Sequence, residues 1–139
     1  MPSHRYIIAL ILFSSVQLFG QKLTVVVNGV KSNKGTVLVA LYNSNRTFML
    51  NPFKTAEVNA KEGHVMVVFQ DVPEGEYAVT VLHDLNGNKK MDENLLGIPK
   101  EGFGFSNDAM GAFGPPTFRE CVFPMHPGPI TTGVRLRHF

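Results

Sequence analysis

Four runs of alternating apolar and polar residues set the strongest limit on what this chain can become: "KLTVVVNGV" (22–30), "GTVLVALYN" (35–43), "GHVMVVFQDV" (63–72) and "GEYAVTVLHD" (75–84). On an extended backbone every second side chain points the same way, so each run can bury one face and leave the other to solvent. Val, Thr and aromatic residues fill the runs, and Gly, Pro and Asn bound them, which together mark β-strands. "FKTAEVNA" (53–60), "TFRECVF" (117–123) and "ITTGVRLR" (130–137) carry the same pattern more weakly. No window holds a sustained helical period with caps, so helix is expected only as a turn or two near "NRTFMLN". The expectation is an all-β chain: a single β-sandwich of about seven antiparallel strands, because each sheet must bury one face against another layer.

The turn in "DVPEGEYAV" is the most informative of the connections. Pro73 fixes φ at the first corner, Gly75 supplies a permissive backbone, and Tyr77, Val79 and Val81 then share one face of the following strand. This Pro-x-Gly-x-Tyr turn resembles those of transthyretin-like and other immunoglobulin-like sandwich modules.

The N-terminus, "MPSHRYIIALILFSSVQLFGQ", places His4 and Arg5 before an apolar run from Tyr6 to Phe19 and the small residue Gly20. That is the form of a secretory signal peptide, expected over 1–20, although Leu18 meets the small-x-small cleavage rule poorly. The run falls short of the 18 or more apolar residues that a spanning helix needs, so no transmembrane anchor is expected once the leader is removed. Residues 21–139 then form one domain, enough for one core and too few for two. Losing Arg5 with the leader turns 13 Lys and Arg against 11 Asp and Glu into a net of +1, which gives no nucleic-acid surface. Cys121 has no partner for a disulfide, a redox pair or a zinc site, and is expected as a small buried side chain in a strand.

Between the strand that ends at 84 and "TFRECVF" lies a stretch, 85–116, with no regular pattern. Long unpatterned connections in a compact domain are usually functional or disordered, and the apolar content of this one argues against disorder. It opens with "HDLNGNKKMDEN" (83–94), where Asp84, Asn86, Asn88 and Asp92 take places 1, 3, 5 and 9 of the twelve-place calcium loop. Lys89 stands where that loop needs glycine at place 6, and Leu95 where it needs a bidentate glutamate, leaving Glu93 or Glu101 to supply it. The competing reading is a turn, because Asn86-Gly87 is a strong hairpin signal and Asp and Asn bond their own backbone. An ion held here would bind weakly, at about 10⁻⁴ to 10⁻³ M.

The second constellation is "GIPKEGFGFSNDAMGAFGPPTF" (97–118), in which five glycines loosen the backbone and Phe103, Phe105, Phe113 and Phe118 supply apolar bulk. Either the segment folds over the open end of the sandwich and completes its core, or it presents aromatics to a sugar, peptide or protein. Core completion is the favoured reading, since four exposed phenylalanines would invite aggregation. As a platform, it would bind through Phe103, Phe105 and Phe113 beside Glu101.

The catalytic inventory is thin. His83 and Asp84 point to opposite faces of a strand, Ser106 lacks the nucleophile-elbow glycines, and His64, His126 and His138 show no ligand spacing and are expected at the surface. Asn45-Arg46-Thr47 fits a glycosylation sequon, a common chance match, and neither Gly-x-Gly-x-x-Gly nor a P-loop occurs.

"PFKTAEV" and the stretch from "FQDVPEGEYAVTVLHDLNGNKKMDENLLGIPK" to "EGFGFSNDAMGAFGPPTFRECVF" resemble a bacterial family known as domain of unknown function 2141. The resemblance implies an exported β-sandwich, alone or joined to larger secreted proteins, with no established activity. It carries Asp84, Asn86, Asn88 and Asp92 over as a site for Ca²⁺, while Lys89 stands where family members often have glycine. The transthyretin-like enzymes that open 5-hydroxyisourate carry a C-terminal Tyr-Arg-Gly-Ser, whereas this chain ends "GVRLRHF"; fold analogy alone carries no function.

The expected protein is thus a periplasmic or extracellular, non-enzymatic β-sandwich. A weak calcium site orders a loop that recognises a protein or carbohydrate partner. The rivals are a purely structural envelope or adhesion module and a small hydrolase or isomerase using His83, Asp84 and Glu101 beneath the 97–118 lid.

Overall fold

The computed structural model describes residues 20–139, so all but the last residue of the expected leader lies outside the described residues. Eight strands follow in order: β1 (Gln21–Val30), β2 (Thr36–Tyr42), β3 (Lys54–Asn59), β4 (Gly63–Val72), β5 (Gly75–Asp84), β6 (Phe103–Phe105), β7 (Phe123–Met125) and β8 (Ile130–Arg135). One sheet runs β4-β1-β8 and the other β3-β2-β5-β6, with β7 also on β5. The all-β, two-sheet expectation holds.

Alternation explains how the sheets meet. Leu23, Val25 and Val27 of β1 and Val37, Val39 and Leu41 of β2 are buried at every second position, and they pack with Val67, Phe69, Val79, Val81 and Val134 in one core. Burying each such side chain contributes roughly 1.5–3 kcal/mol.

Three features depart from the sequence reading. The strands are not all antiparallel, because β8 pairs with β1 in parallel, Leu23 opposite Ile130 through Asn28 opposite Arg135. "TFRECVF" is not a strand: Thr117 and Glu120 form a reciprocal capping box that starts a short helix, α1 (Phe118–Cys121), and β7 begins only at Phe123. Local side-chain bonds to free helix N–H groups outweighed an alternation of a few residues. Residues 45–50 form turns rather than helix.

The segment read as patternless contains β6, which adds to the edge of β5 with Phe103 opposite Leu82 and Phe105 opposite Thr80. Between them Gly104 faces the interior, where a Cβ would stand 2.7 Å from Val134 Cγ1 and 2.8 Å from the Arg135 carbonyl oxygen. Only glycine lets β8 pass so near. Phe103 and Phe105 therefore lie on the outer face of the five-stranded sheet, where Phe105, Ala78 and Cys121 form a second small core with Phe48, Phe103 and Phe118 against it. After β8 the chain leaves β1 and exchanges two backbone bonds between Arg137 and Phe103, tying the two sheets along one edge.

Candidate functional site

The 84–92 segment is a closed loop of side-chain to backbone bonds. Asp84 is fully buried at the end of β5, its Oδ1 accepting from Gly87 N at 2.9 Å and its Oδ2 from Lys89 N at 2.8 Å. Lys89 takes φ of 58°, the left-handed conformation that glycine would adopt at no steric cost. The place-6 turn is thus kept without the glycine. Asn86 and Asn88 each accept from the backbone two residues on, and both donate to Asp92: Asn86 Nδ2 to Oδ2 at 2.6 Å, Asn88 Nδ2 to Oδ1 at 2.8 Å. Of the four residues proposed as ion ligands, the structure brings Asn86, Asn88 and Asp92 together and turns Asp84 to the backbone.

The chain then folds into a tight hairpin. Lys100 N bonds the Asp92 carbonyl at 2.8 Å, Asn94 N bonds the Ile98 carbonyl at 2.9 Å, and the Asn94 side-chain oxygen accepts from Leu96 N and Ile98 N. Leu95 and Leu96 stand exposed at its tip. Glu101 locks the hairpin to the preceding loop: it is 3% exposed, with Oε1 accepting from Leu85 N at 2.9 Å and Oε2 from Asp92 N at 3.2 Å. The side chain does reach back to the loop, but toward its backbone. The sequence signals for the hairpin were Asn94 and Gly97; the sequence offered Glu101 as a ligand reaching back to the loop, but gave no sign of its two backbone donors, 9 and 16 residues away.

A third device anchors the far end. Ser106, fully buried, accepts from Val79 N at 2.9 Å and donates to the Cys121 carbonyl at 2.5 Å, pinning the segment between β5 and α1. Asn107 and Asp108 follow in the left-handed region at φ 61° and 48°, held there as Asn107 Nδ2 bonds the Glu120 and Val122 carbonyls and Asp108 Oδ1 accepts Arg135 N. The Gly-Phe-Ser-Asn motif is therefore a structural latch. Cys121 is buried as expected, though at the end of α1 rather than in a strand, and burial with the Glu120 charge pushes its thiol up to about 11.

These braced turns wall a cleft of about 410 Å³ on the outer side of β6. Phe103 and Phe105 line it with Met49, Met91, Met110 and Phe139. Phe139 stacks on Phe103 with centroids 5.8 Å apart and planes at 21°, and Phe105 meets Phe103 edge-on at 73°. Leu50, Leu95, Leu96 and Phe113, each adjacent in sequence to a lining residue or one removed from it, stand exposed. The phenylalanines of the lid divide: Phe105 is buried in the small outer core rather than in the core between the sheets, whereas Phe113 is fully exposed.

Among the described residues the histidines do not converge on a common site. His83, inside the sandwich, bonds the Lys34 carbonyl through Nε2 at 2.8 Å, and among the described residues no hydrogen bond links it to Asp84 or Glu101. His64 and His126 are exposed as expected, but His138 is partly buried against Gly102, and its Nε2 has no partner among the described residues. Burial, Lys31 and His83 lower its pKa.

Among the described residues no group of three or more His, Cys, Asp or Glu is placed to hold a metal. At Asp92 the two carboxamides present NH₂ groups, while their oxygens are taken by the Asn88 and Lys90 N–H groups, so the gathering is a set of side-chain-to-backbone turns closed by Asp92. Among the described residues, no helix is long and apolar enough to cross a membrane. The family model described as "Uncharacterized protein conserved in bacteria (DUF2141)" matches residues 25–132, which bears out the resemblance drawn from the 83–118 motifs. No curated protein and no solved structure matches the chain.

Proposed function

The chain belongs to the bacterial family DUF2141, and from that premise we propose that it is an exported, non-enzymatic recognition module whose cleft receives an apolar group of its partner. The observation that carries this reading is the cleft itself. A space lined by Phe and Met side chains, with Leu95, Leu96 and Phe113 exposed about it, is costly to leave in water. Its volume lies in the range of ligand sites, and its lining favours a peptide side chain or small apolar ligand over a sugar. Methionine adapts to irregular apolar surfaces, which suits such a site. Export rests on the apolar leader, and the non-enzymatic reading on the separate backbone partners of His83, Asp84 and Glu101. An immunoglobulin-like or transthyretin-like kinship is supported by the Tyr77 hydroxyl, which donates to the Pro73 carbonyl four residues upstream, the bond of a tyrosine corner.

The test is a fluorescence titration with the neutral apolar probe N-phenyl-1-naphthylamine. Saturable binding that Met110→Asp abolishes supports the reading; no binding, or binding indifferent to the substitution, overturns it.

A second reading keeps the ion, on the observation that Asn86, Asn88 and Asp92 lie together, although an ion would have to displace the carboxamide NH₂ groups that now bond both Asp92 oxygens. Calcium would then bind weakly at Asp92, Asn86 and Asn88 and add to the order of the loop. A rise in melting temperature with millimolar calcium that Asp92→Asn removes supports it, and no shift counts against it.

A further inference from the structure

Glu93 is the only charged side chain among the residues lining the cleft. Its carboxylate reaches across the hairpin, with Oε2 3.9 Å from where a Cβ on Gly97, another lining residue, would stand. The one ion pair among the described residues joins Lys89 to Glu57, so Glu93 has no cationic partner there. A lone carboxylate at an apolar wall repels anions and is best complemented by a positive charge that brings its own apolar surface.

The rest of the lining suits the same guest. Phe103, Phe105 and Phe139 form a stacked pair and an edge-on pair, and aromatic faces carry negative charge density that attracts cations. The thioethers of Met49, Met91 and Met110 are polarisable and soft. Quaternary ammonium groups are recognised elsewhere by this combination of aromatic rings and polarisable apolar contacts. A cleft of about 410 Å³ admits such an ion with room to spare.

We propose that the cleft binds a small organic ammonium ion with apolar substituents, Glu93 supplying the counter-charge and Phe103, Phe105 and Phe139 the aromatic surface. This rests on the cleft being a binding site, as proposed above. It goes further in fixing the charge of the occupant.

The experiment compares choline with its neutral isostere 3,3-dimethylbutan-1-ol, by amide chemical-shift titration of residues 21–139 and of Glu93→Gln. The exposed position of Glu93 leaves that variant folded, which its spectrum verifies. The expected result is shifts confined to the cleft, a Kd for choline lower than that of the alcohol by about fivefold or more, and loss of that advantage in Glu93→Gln. Equal affinity for the two compounds, or an advantage that survives Glu93→Gln, overturns the assignment. So does failure of both compounds to bind while N-phenyl-1-naphthylamine still binds, which leaves the cleft as a neutral apolar site. If the neutral probe fails as well, the cleft reading falls together with this one.

Discussion

Replacing Glu101 with alanine removes the one side chain that joins the two halves of the loop. Its carboxylate oxygens take the Leu85 and Asp92 N–H groups at 2.9 and 3.2 Å while the residue is 3% exposed. Hydrogen bonds to a charged group contribute about 1.5–3 kcal/mol each, and a buried N–H left without an acceptor costs about 1–3 kcal/mol. Partial entry of water brings the total for both bonds to about 3 kcal/mol, a large share of the 5–15 kcal/mol that holds a domain folded. If the loss falls on the whole fold, the urea midpoint drops accordingly. If it falls on the loop alone, the midpoint stays and the Leu85 and Asp92 amides exchange about a hundredfold faster. Glu101→Gln keeps one acceptor and presents an NH₂ to the other N–H, so it should recover less than half of the difference. Denaturation and native-state hydrogen exchange on the same samples separate the cases. A Glu101→Ala protein within 0.5 kcal/mol of the parent, roughly the scatter of surface substitutions, and with unchanged exchange at both amides, would refute the brace.

Ser106→Ala should cost about 2 kcal/mol by urea denaturation, since it strips an acceptor from Val79 N and a donor from the Cys121 carbonyl in a fully buried place. Cys121, with its thiol pushed up to about 11, should resist thiol reagents at pH 8 in the native protein and react fully once denatured. His138 is lowered by burial first and by Lys31 and His83 after it, so the folded state binds its proton less readily than the unfolded chain does. The stability tied to this group is therefore complete above the usual imidazole value of about 6.5 and declines as pH falls below it toward the folded value. Melting curves from pH 8 to pH 5 should show that loss, and His138→Gln should flatten it.

How far the sequence could be read depended on the distance over which each decision is made. The strands at 21–30, 36–42 and 63–72 follow their alternation closely, because a half-buried strand writes its burial into every second residue, whereas 75–84 is buried on both faces at 77–79 and 83–84, where the small outer core and the Asp84 turn cover it. β6, with three residues, is too short to show a period, and its place depends on Gly104 meeting Val134 from the far end of the chain. The parallel pairing of β8 with β1 is likewise a contact between the two ends of the domain. Thr117 and Glu120 did carry a readable signal, the three-residue spacing of a capping box, which the apolar pattern of "TFRECVF" concealed. At the site, the polar loop was legible because Asp84, Asn86 and Asn88 act within a few residues of themselves. The division of labour among the phenylalanines was not. Phe105 and Phe113 look alike in composition, and only the edge of β5 decides that one is buried and the other left bare.

The proposed recognition surface is one that its own hydrogen bonds hold in shape. The direct measurement is backbone ¹⁵N relaxation across residues 85–116 in protein stripped of divalent ions. Order parameters near 0.85 through the Asp92–Lys100 hairpin, matching the flanking strands, are the predicted result. Values below about 0.6 that rise only when calcium is added would contradict it and transfer the ordering to the ion.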